Sequence, residues 1–260
     1  MIMLTMSTLR RIFAAIAAFS LMGSGAVHAA GDSDEPASSA STGTRYVFAI
    51  SWQPAFCETR PSRAECREQT ADRFDASHFS LHGLWAIKKS YCGAAAELKA
   101  RDKKSNWTDL PEVALSADAA ARLKVAMPGV ASGFERHQWV RSGTCLGMPA
   151  EQYFTLSMSL LDRVNASPVQ ALFAANLGKS ISETQVRQAF DTAFGTGAGD
   201  RVRMRCQKDG DRRIITGLTI GLSNGLAEAA DGTNMQKLIL AAGTTKFNCT
   251  EGVVDAAGVQ

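Results

Sequence analysis

The chain has 260 residues, of which 45% are hydrophobic and 20% are charged. This length suffices for one substantial hydrophobic core, and the apolar content excludes wholesale disorder. Lysine and arginine number 28 against 25 acidic residues, so the formal charge is only +3. Such a charge excludes binding to nucleic acid through overall basicity, and any such binding would need a local patch.

The first thirty residues have the features of a secretory signal peptide. Arg10 and Arg11 supply positive charge, residues 12–22 are apolar, and small residues around Ala29 suit a cleavage site. A membrane anchor is the alternative, but the apolar run is too short to span a bilayer. Residues 1–30 hold two arginines and no acidic residue, so their removal lowers the formal charge to +1. We therefore predict a periplasmic or secreted protein that does not contact the membrane after cleavage.

The remaining chain predicts a single α+β domain. Residues 31–44 are polar and low in complexity, which is typical of a disordered leader, and the domain covers residues 45–260. Apolar and β-branched runs predict strands at residues 46–52, 79–85, 201–206, 212–222 and 246–249. Apolar periodicity predicts helices at residues 115–127, 134–142, 151–164 and 182–194. Strands and helices do not alternate in a βαβ rhythm, which favours α+β over α/β.

Six cysteines follow the proposed signal peptide, at positions Cys57, Cys66, Cys92, Cys145, Cys206 and Cys249. An even number behind a signal peptide predicts disulfides formed in an oxidising compartment. Six cysteines allow fifteen pairings, and their spacing alone does not choose among them. A zinc site is the alternative, which the lack of a Cys-x-x-Cys pair disfavours.

The segment FSLHGLW, residues 79–85, places a histidine at the end of an apolar strand. Histidine exchanges protons near neutral pH, so His82 is a candidate acid–base group. Trp85 offers an aromatic surface on which a base can stack. A single strand histidine is more often structural than catalytic, and this segment alone leaves both interpretations open.

The segment FERHQWVRSGTC, residues 134–145, predicts a short helix with a polar face. Residues three or four apart share that face, namely Phe134, His137, Gln138 and Arg141. Imidazole, amide and guanidinium groups can donate hydrogen bonds to phosphodiester oxygens, on which charge develops during cleavage. A solvated polar face around a buried tryptophan is the alternative interpretation.

Together the two segments resemble the active-site segments of the ribonuclease T2 family. The family's first segment reads His-Gly-Leu-Trp-Pro, and residues 82–86 read HGLWA. Its second reads His-Glu-Trp-x-Lys-His-Gly-Thr-Cys, and residues 137–145 read HQWVRSGTC. An upstream element, SWQPAFC at residues 51–57, is also similar to the family's. The resemblance extends from about Tyr46 to Cys249.

The resemblance implies a central, mostly antiparallel sheet flanked by helices. It implies disulfides that join Cys57 to Cys66, Cys92 to Cys145 and Cys206 to Cys249. It also implies an endoribonuclease that cleaves single-stranded RNA by transesterification and leaves 2′,3′-cyclic phosphate ends. Two histidines share the acid–base steps in this family, without a metal or another cofactor. We expect the protein to be a monomer.

The resemblance also assigns roles to residues. His82 would be the first catalytic histidine, and His137 an auxiliary histidine that binds phosphate. Trp85 and Phe134 would each form one base site. Arg141 stands where the family has lysine, which retains the positive charge.

Two positions of the second segment depart from the family pattern. Gln138 replaces the family's glutamate, and Ser142 replaces its second catalytic histidine. Serine cannot act as a general base at ordinary pH without an activating partner. The loss of a positioned acid or base costs ~10²–10⁴-fold in rate, so we expect reduced ribonuclease activity. A catalytically inactive member that binds RNA or another extracytoplasmic ligand is the alternative.

Local positive charge must carry any RNA binding. Arg141 is one candidate, and the strand that contains Arg201, Arg203 and Arg205 is another. Arginines on an edge strand also keep that edge soluble and unpaired, and this is the interpretation that the sequence favours.

Overall fold

The computed structural model describes residues 43–226 and 234–258. The proposed signal peptide, residues 1–30, lies outside the described residues, as does most of the proposed leader. Gly43 and Thr44, expected to end the leader, are instead hydrogen-bonded to the fold. The Gly43 N–H donates to the Ala241 carbonyl at 3.2 Å, and the Thr44 hydroxyl donates to the Gly243 carbonyl at 3.3 Å. Within the described residues, no helix is long and apolar enough to cross a membrane.

A six-stranded sheet organises the described residues. Its strands are β1 (Tyr46–Ser51), β2 (Ser80–Ala86), β3 (Ser180–Ser182), β4 (Val202–Asp209), β5 (Arg212–Leu222) and β6 (Glu251–Val253). Their order is β2-β1-β5-β6-β3, and β4 also pairs with β5. The named strands pair antiparallel except β5 with β6. This arrangement confirms the expected α+β class and the mostly antiparallel sheet.

One predicted strand is wrong. Residues 246–249 do not form a strand, and the last strand is β6, centred on Gly252. Glycine has low β-propensity, so the sequence pattern does not reveal this strand. The structure shows why glycine is needed: a Cβ at position 252 would lie 2.8 Å from Cγ1 of Ile215. Close approach of the chain to β5, rather than local propensity, therefore decides where pairing occurs.

Nine helices lie in the described residues. They are α1 (Gln53–Thr59), α2 (Ala64–Arg67), α3 (Ala96–Asp102), α4 (Ala117–Ala126), α5 (Phe134–Arg141), α6 (Ala150–Asn165), α7 (Pro168–Ala174), α8 (Glu183–Phe194) and α9 (Met235–Leu240). The four predicted helices correspond to α4, α5, α6 and α8. Ser116 caps α4, and Ser182 with Gln185 forms a capping box on α8. The missed helices have seven residues or fewer, too short for a clear periodic pattern.

An aromatic cluster lies at the centre of the core. Trp52, Phe79 and Phe173 are all fully buried, and their ring centroids are 4.6–5.3 Å apart. The Trp52 indole N–H donates to the Asp255 carbonyl at 2.7 Å, which satisfies its buried polar atom. Phe79 directly precedes β2 and Trp52 directly precedes α1, so this cluster fixes where these two elements begin.

The three disulfides join Cys57 to Cys66, Cys92 to Cys145 and Cys206 to Cys249, as the resemblance implies. The Cys92–Cys145 bond spans 53 residues of sequence. It connects the loop that follows β2 to the turn that follows α5. The two segments singled out in the sequence are thereby held next to each other.

Candidate active site

A β-bulge turns His82 out of the regular strand ladder. Ala49 pairs with Gly83 and Ile50 pairs with Leu81, so His82 is the additional residue of β2. A bulge re-aims a side chain and increases local twist, and bulges are frequent next to active sites. The Nδ1 atom of His82 lies 3.0 Å from the Ser51 hydroxyl, which fixes the orientation of the half-buried imidazole.

The helix α5 presents His137 to a buried carboxylate. Nδ1 of His137 lies 2.6 Å from Oδ1 of Asp102, and the Tyr91 hydroxyl donates to Oδ2 of the same carboxylate at 2.7 Å. The Asp102 side chain is only 1% exposed. Because a carboxylate only accepts, this contact places the proton of a neutral His137 on Nδ1 and leaves Nε2 as the acceptor.

The sequence gives no signal for Asp102. It lies at the end of α3, 35 residues before His137, and it belongs to no recognisable motif. Trp107 is a second residue that sequence reasoning missed, and it stacks on His137 with ring centroids 4.5 Å apart. Both residues lie between the cysteines of the Cys92–Cys145 disulfide, and only the folded chain brings them to α5.

His82 and His137 line the same cavity, which has a volume of about 320 Å³. Phe134 lies between them, with its ring centroid 5.1 Å from that of His82 and 5.7 Å from that of His137. Arg60 and Arg63 also line this cavity. The cavity therefore combines two imidazoles, aromatic surface, two guanidiniums and one carboxylate.

Trp85 and Gln138 form a contact on another side of His82. The indole N–H of Trp85 donates to Oε1 of Gln138 at 2.9 Å, and Gln138 is buried. The Trp85 ring meets the His82 ring edge-on at 5.6 Å. A Cβ at Gly83 would lie 2.3 Å from Oε1 of Gln138, so only glycine permits this contact. Gln138 therefore positions Trp85.

Arg141 and Ser142 are not brought to the cavity of the two histidines. Arg141 is exposed, and its guanidinium lies 5.7 Å from the centroid of the Tyr91 ring. Ser142 is buried at the point where α5 ends, with φ −124° and ψ −46°. Arg141 is the last residue of α5 and Ser142 follows it, and neither lines the cavity of the two histidines.

Burial and charge lower the pKa of both histidines. Burial lowers the pKa of His82 to about 4, and the charges of Arg205 and His137 add to this effect. Burial also lowers the pKa of His137, while its hydrogen bond to Asp102 acts in the opposite direction. Burial raises the pKa of Tyr91, and so does its hydrogen bond to Asp102. The two imidazoles therefore differ in their partners: His137 is hydrogen-bonded to a carboxylate, whereas His82 is hydrogen-bonded to a hydroxyl.

Within residues 43–226 and 234–258, no group of three or more His, Cys, Asp and Glu side chains is arranged to hold a metal ion. The groups available at the site are imidazoles, a carboxylate and guanidiniums. Such a set can transfer protons and stabilise negative charge on a phosphodiester.

Residues 43–236 match the ribonuclease T2 family, and the chain belongs to this family. It is 29% identical over 201 residues to Ribonuclease I of Escherichia coli (strain K12). This match covers 68% of the present chain and 74% of that relative.

Solved structures show the same fold. A mutant of ribonuclease MC1, a protein from the seeds of bitter gourd, superposes with a TM-score of 0.53 at 15% identity. The match covers 81% of this chain and 99% of the other. A second mutant of that protein, in complex with 5′-UMP, has a TM-score of 0.53 at 16% identity and covers 81% and 97% of the two chains.

The low pKa of His82 predicts a pH dependence of stability. Unfolding returns this imidazole from a pKa of about 4 towards its ordinary 6.5, so the unfolded state binds more protons between these values. The free energy of unfolding should therefore fall as the pH is lowered from 6.5 towards 4. Urea unfolding across this range measures the effect, and His82→Gln should flatten the dependence. An NMR titration in which His82 titrates near 6.5 would contradict the prediction.

Proposed function

We propose that this protein is an endoribonuclease that cleaves single-stranded RNA by metal-independent transesterification and leaves 2′,3′-cyclic phosphate ends. The observation that carries the proposal is the shared cavity of His82 and His137. Their Nδ1 atoms are engaged by Ser51 and Asp102. In the described part of the chain, neither Nε2 atom has a hydrogen-bond partner, so both remain available to substrate.

The different surroundings of the two imidazoles assign their roles. His82, with a pKa of about 4, is neutral near neutral pH and takes the proton of the ribose 2′-hydroxyl. Burial lowers the pKa of His137 as well, but the Asp102 carboxylate opposes this shift, so His137 is the imidazole that we assign as the general acid for the leaving 5′-oxygen. Two titratable groups with distinct environments are the usual basis of such a division.

The remaining residues bind and position. Phe134 and Trp85 offer stacking surfaces for the bases on either side of the cleaved bond. Gln138 holds Trp85 in place through the indole N–H. Arg141 acts indirectly. Its guanidinium lies over the ring of Tyr91, and the Tyr91 hydroxyl donates the hydrogen bond that holds Asp102 in place.

We further propose that the activity is reduced relative to members with a second histidine on this helix. Ser142 supplies no imidazole, and it is buried away from the cavity. Gln138 is neutral and cannot stabilise an imidazolium as a carboxylate would. His137, held by Asp102, then performs alone a proton transfer in which a histidine at position 142 would otherwise take part.

The proposed place of action is the periplasm or the exterior of the cell. The features of residues 1–30 support export, and three disulfides persist best in an oxidising compartment. The protein would act there as a monomer on RNA, free of the membrane after cleavage of its signal peptide.

Product analysis tests the proposal. The purified mature protein should convert a dinucleotide or homopolymer RNA into 2′,3′-cyclic phosphate ends, with or without EDTA. His82→Ala and His137→Ala should each lower the initial rate ~10²–10⁴-fold, as for a positioned acid or base. His78→Ala is the matched control, because His78 lies outside the cavity and stacks on Phe74. Binding of RNA without any product would instead identify an inactive family member.

The pH–rate profile tests the roles of the two histidines. Asp102→Asn removes the charge that favours protonated His137, so the pKa of His137 should fall. For a general acid, the alkaline limb of kcat/KM then moves to lower pH. Tyr91→Phe keeps the carboxylate and should give a smaller displacement. A displaced acidic limb instead would make His137 the base.

A double substitution tests the origin of the reduced rate. Ser142→His with Gln138→Glu restores an imidazole at the residue that follows α5 and a carboxylate four residues before it. The Gln138 side chain already reaches Gly83, next to His82. The double variant should cleave RNA at least ~100-fold faster than the natural protein, and a further His82→Ala should abolish the gain. An unchanged rate in a folded double variant would show that Ser142 does not limit the reaction.

A further inference from the structure

The outer face of β4 presents two arginines to an open groove. Alternate residues of this strand are buried, and Arg203 and Arg205 are exposed on the other face. Arg203 lies opposite Thr219 of β5. Among the described strands β4 pairs with β5 alone, so the arginines can protect an edge, as the sequence suggests. The groove beside them indicates a second role.

Small residues form the floor of this groove. On the same face β5 carries Thr219 and Gly221, and the register places Gly221 opposite Val47 and Val47 opposite Trp85. The groove has a volume of about 570 Å³ and runs from Trp85 to the arginines of β4. A chain of sugars and phosphates can therefore approach the sheet closely between them.

The groove adjoins the proposed reaction centre. It shares Arg205 with a second cavity of about 240 Å³, which is also lined by His82. That cavity shares His82 and Arg60 with the cavity of His137. Adjoining cavities thus lead from the two imidazoles to Arg203.

The guanidiniums of Arg203 and Arg205 can receive an anion. Arg203 donates from Nε to the Lys246 carbonyl at 2.9 Å, so its two terminal nitrogens remain available to bind an anion. Arg205 forms no ion pair with any described residue. Arg201 differs, since its guanidinium is held by backbone carbonyls such as that of Gly197 at 2.6 Å. No carboxylate is among the described residues that line the groove.

The spacing of the two arginines suits a polynucleotide. Residues two apart on a strand are about 6.7 Å apart, which is comparable to the separation of successive phosphates in an extended RNA strand. Trp85 at the other side of the groove can stack an unpaired base, which a double helix would not offer.

We propose that this groove binds the part of a single-stranded RNA that extends beyond Trp85, with backbone phosphates on Arg203 and Arg205. The proposal rests on the proposed function for the identity of the ligand. It adds a subsite for longer chains, so affinity should depend on the length of the RNA while the chemistry at His82 does not.

Binding of a non-reactive RNA tests the groove. The probe is a fluorescent 2′-O-methyl oligoribonucleotide of eight nucleotides, which lacks the hydroxyl needed for cleavage. Arg203→Gln should weaken its binding about tenfold, the effect of one charged hydrogen-bonding contact. The slope of log affinity against log salt should decrease in magnitude by about 0.7 for each lost phosphate contact. Cleavage of a dinucleotide, measured as kcat/KM, should stay unchanged.

Two matched variants complete the experiment. Arg213→Gln removes the same charge from an exposed position of β5 outside the groove, and it should leave affinity for the probe unchanged. Arg203→Lys keeps the charge and should keep the salt slope. Equal losses for Arg203→Gln and Arg213→Gln, or no loss for either, would overturn the proposal.

The test separates this proposal from the proposed function. A natural protein that forms no cyclic phosphate would refute the nuclease, yet loss of probe binding on Arg203→Gln would still support the groove. Conversely, normal cleavage with probe affinity independent of Arg203 would overturn the groove alone.

Discussion

The register shift between β1 and β2 determines where the chemistry of this protein lies. In a regular ladder every residue of β2 would have a partner on β1, and successive side chains would alternate between the two faces of the sheet. The bulge instead gives His82 no partner on β1 and directs its ring to the side of Ser51. At this position Phe134 and Trp85 contact the ring of His82, and the charge of Arg205 lowers its pKa.

The second imidazole depends on a different kind of constraint, which is long-range. His137 is held by Asp102 and Trp107, and both reach α5 through a segment closed by the Cys92–Cys145 disulfide. The two histidines therefore have separate supports, one in strand pairing and one in a covalently closed loop. Their meeting in one cavity is a property of the whole domain rather than of either segment.

Sequence patterns reveal the elements that have clear periodicity and the side chains that belong to recognisable segments. The four predicted helices are present, as are the predicted strands around His82 and in the β4–β5 pair. Asp102 could not be predicted, because a carboxylate at the end of a seven-residue helix resembles any solvated acid until its burial is known. The last strand is predicted at residues 246–249 but forms around Gly252, since its pairing depends on close contact with Ile215 rather than on β-propensity. At the end of α5 the pattern also misleads, since Ser142 lies beyond the helix and is buried, while Arg141 in its last turn lies over Tyr91 rather than in the cavity.

The disulfide between Cys92 and Cys145 also bears on when the site is assembled. Thiols remain reduced in the cytosol, so a newly made chain there would lack this bond. Asp102, Trp107 and α5 all lie within the loop that this bond closes, and without the bond that loop would have far more conformational freedom. For a chain exported as proposed, closure of this loop would follow transport. The contacts of His137 with Asp102 and Trp107 would thus gain this covalent stabilisation only after the protein has left the compartment that contains the ribosomes and messenger RNA of its own cell.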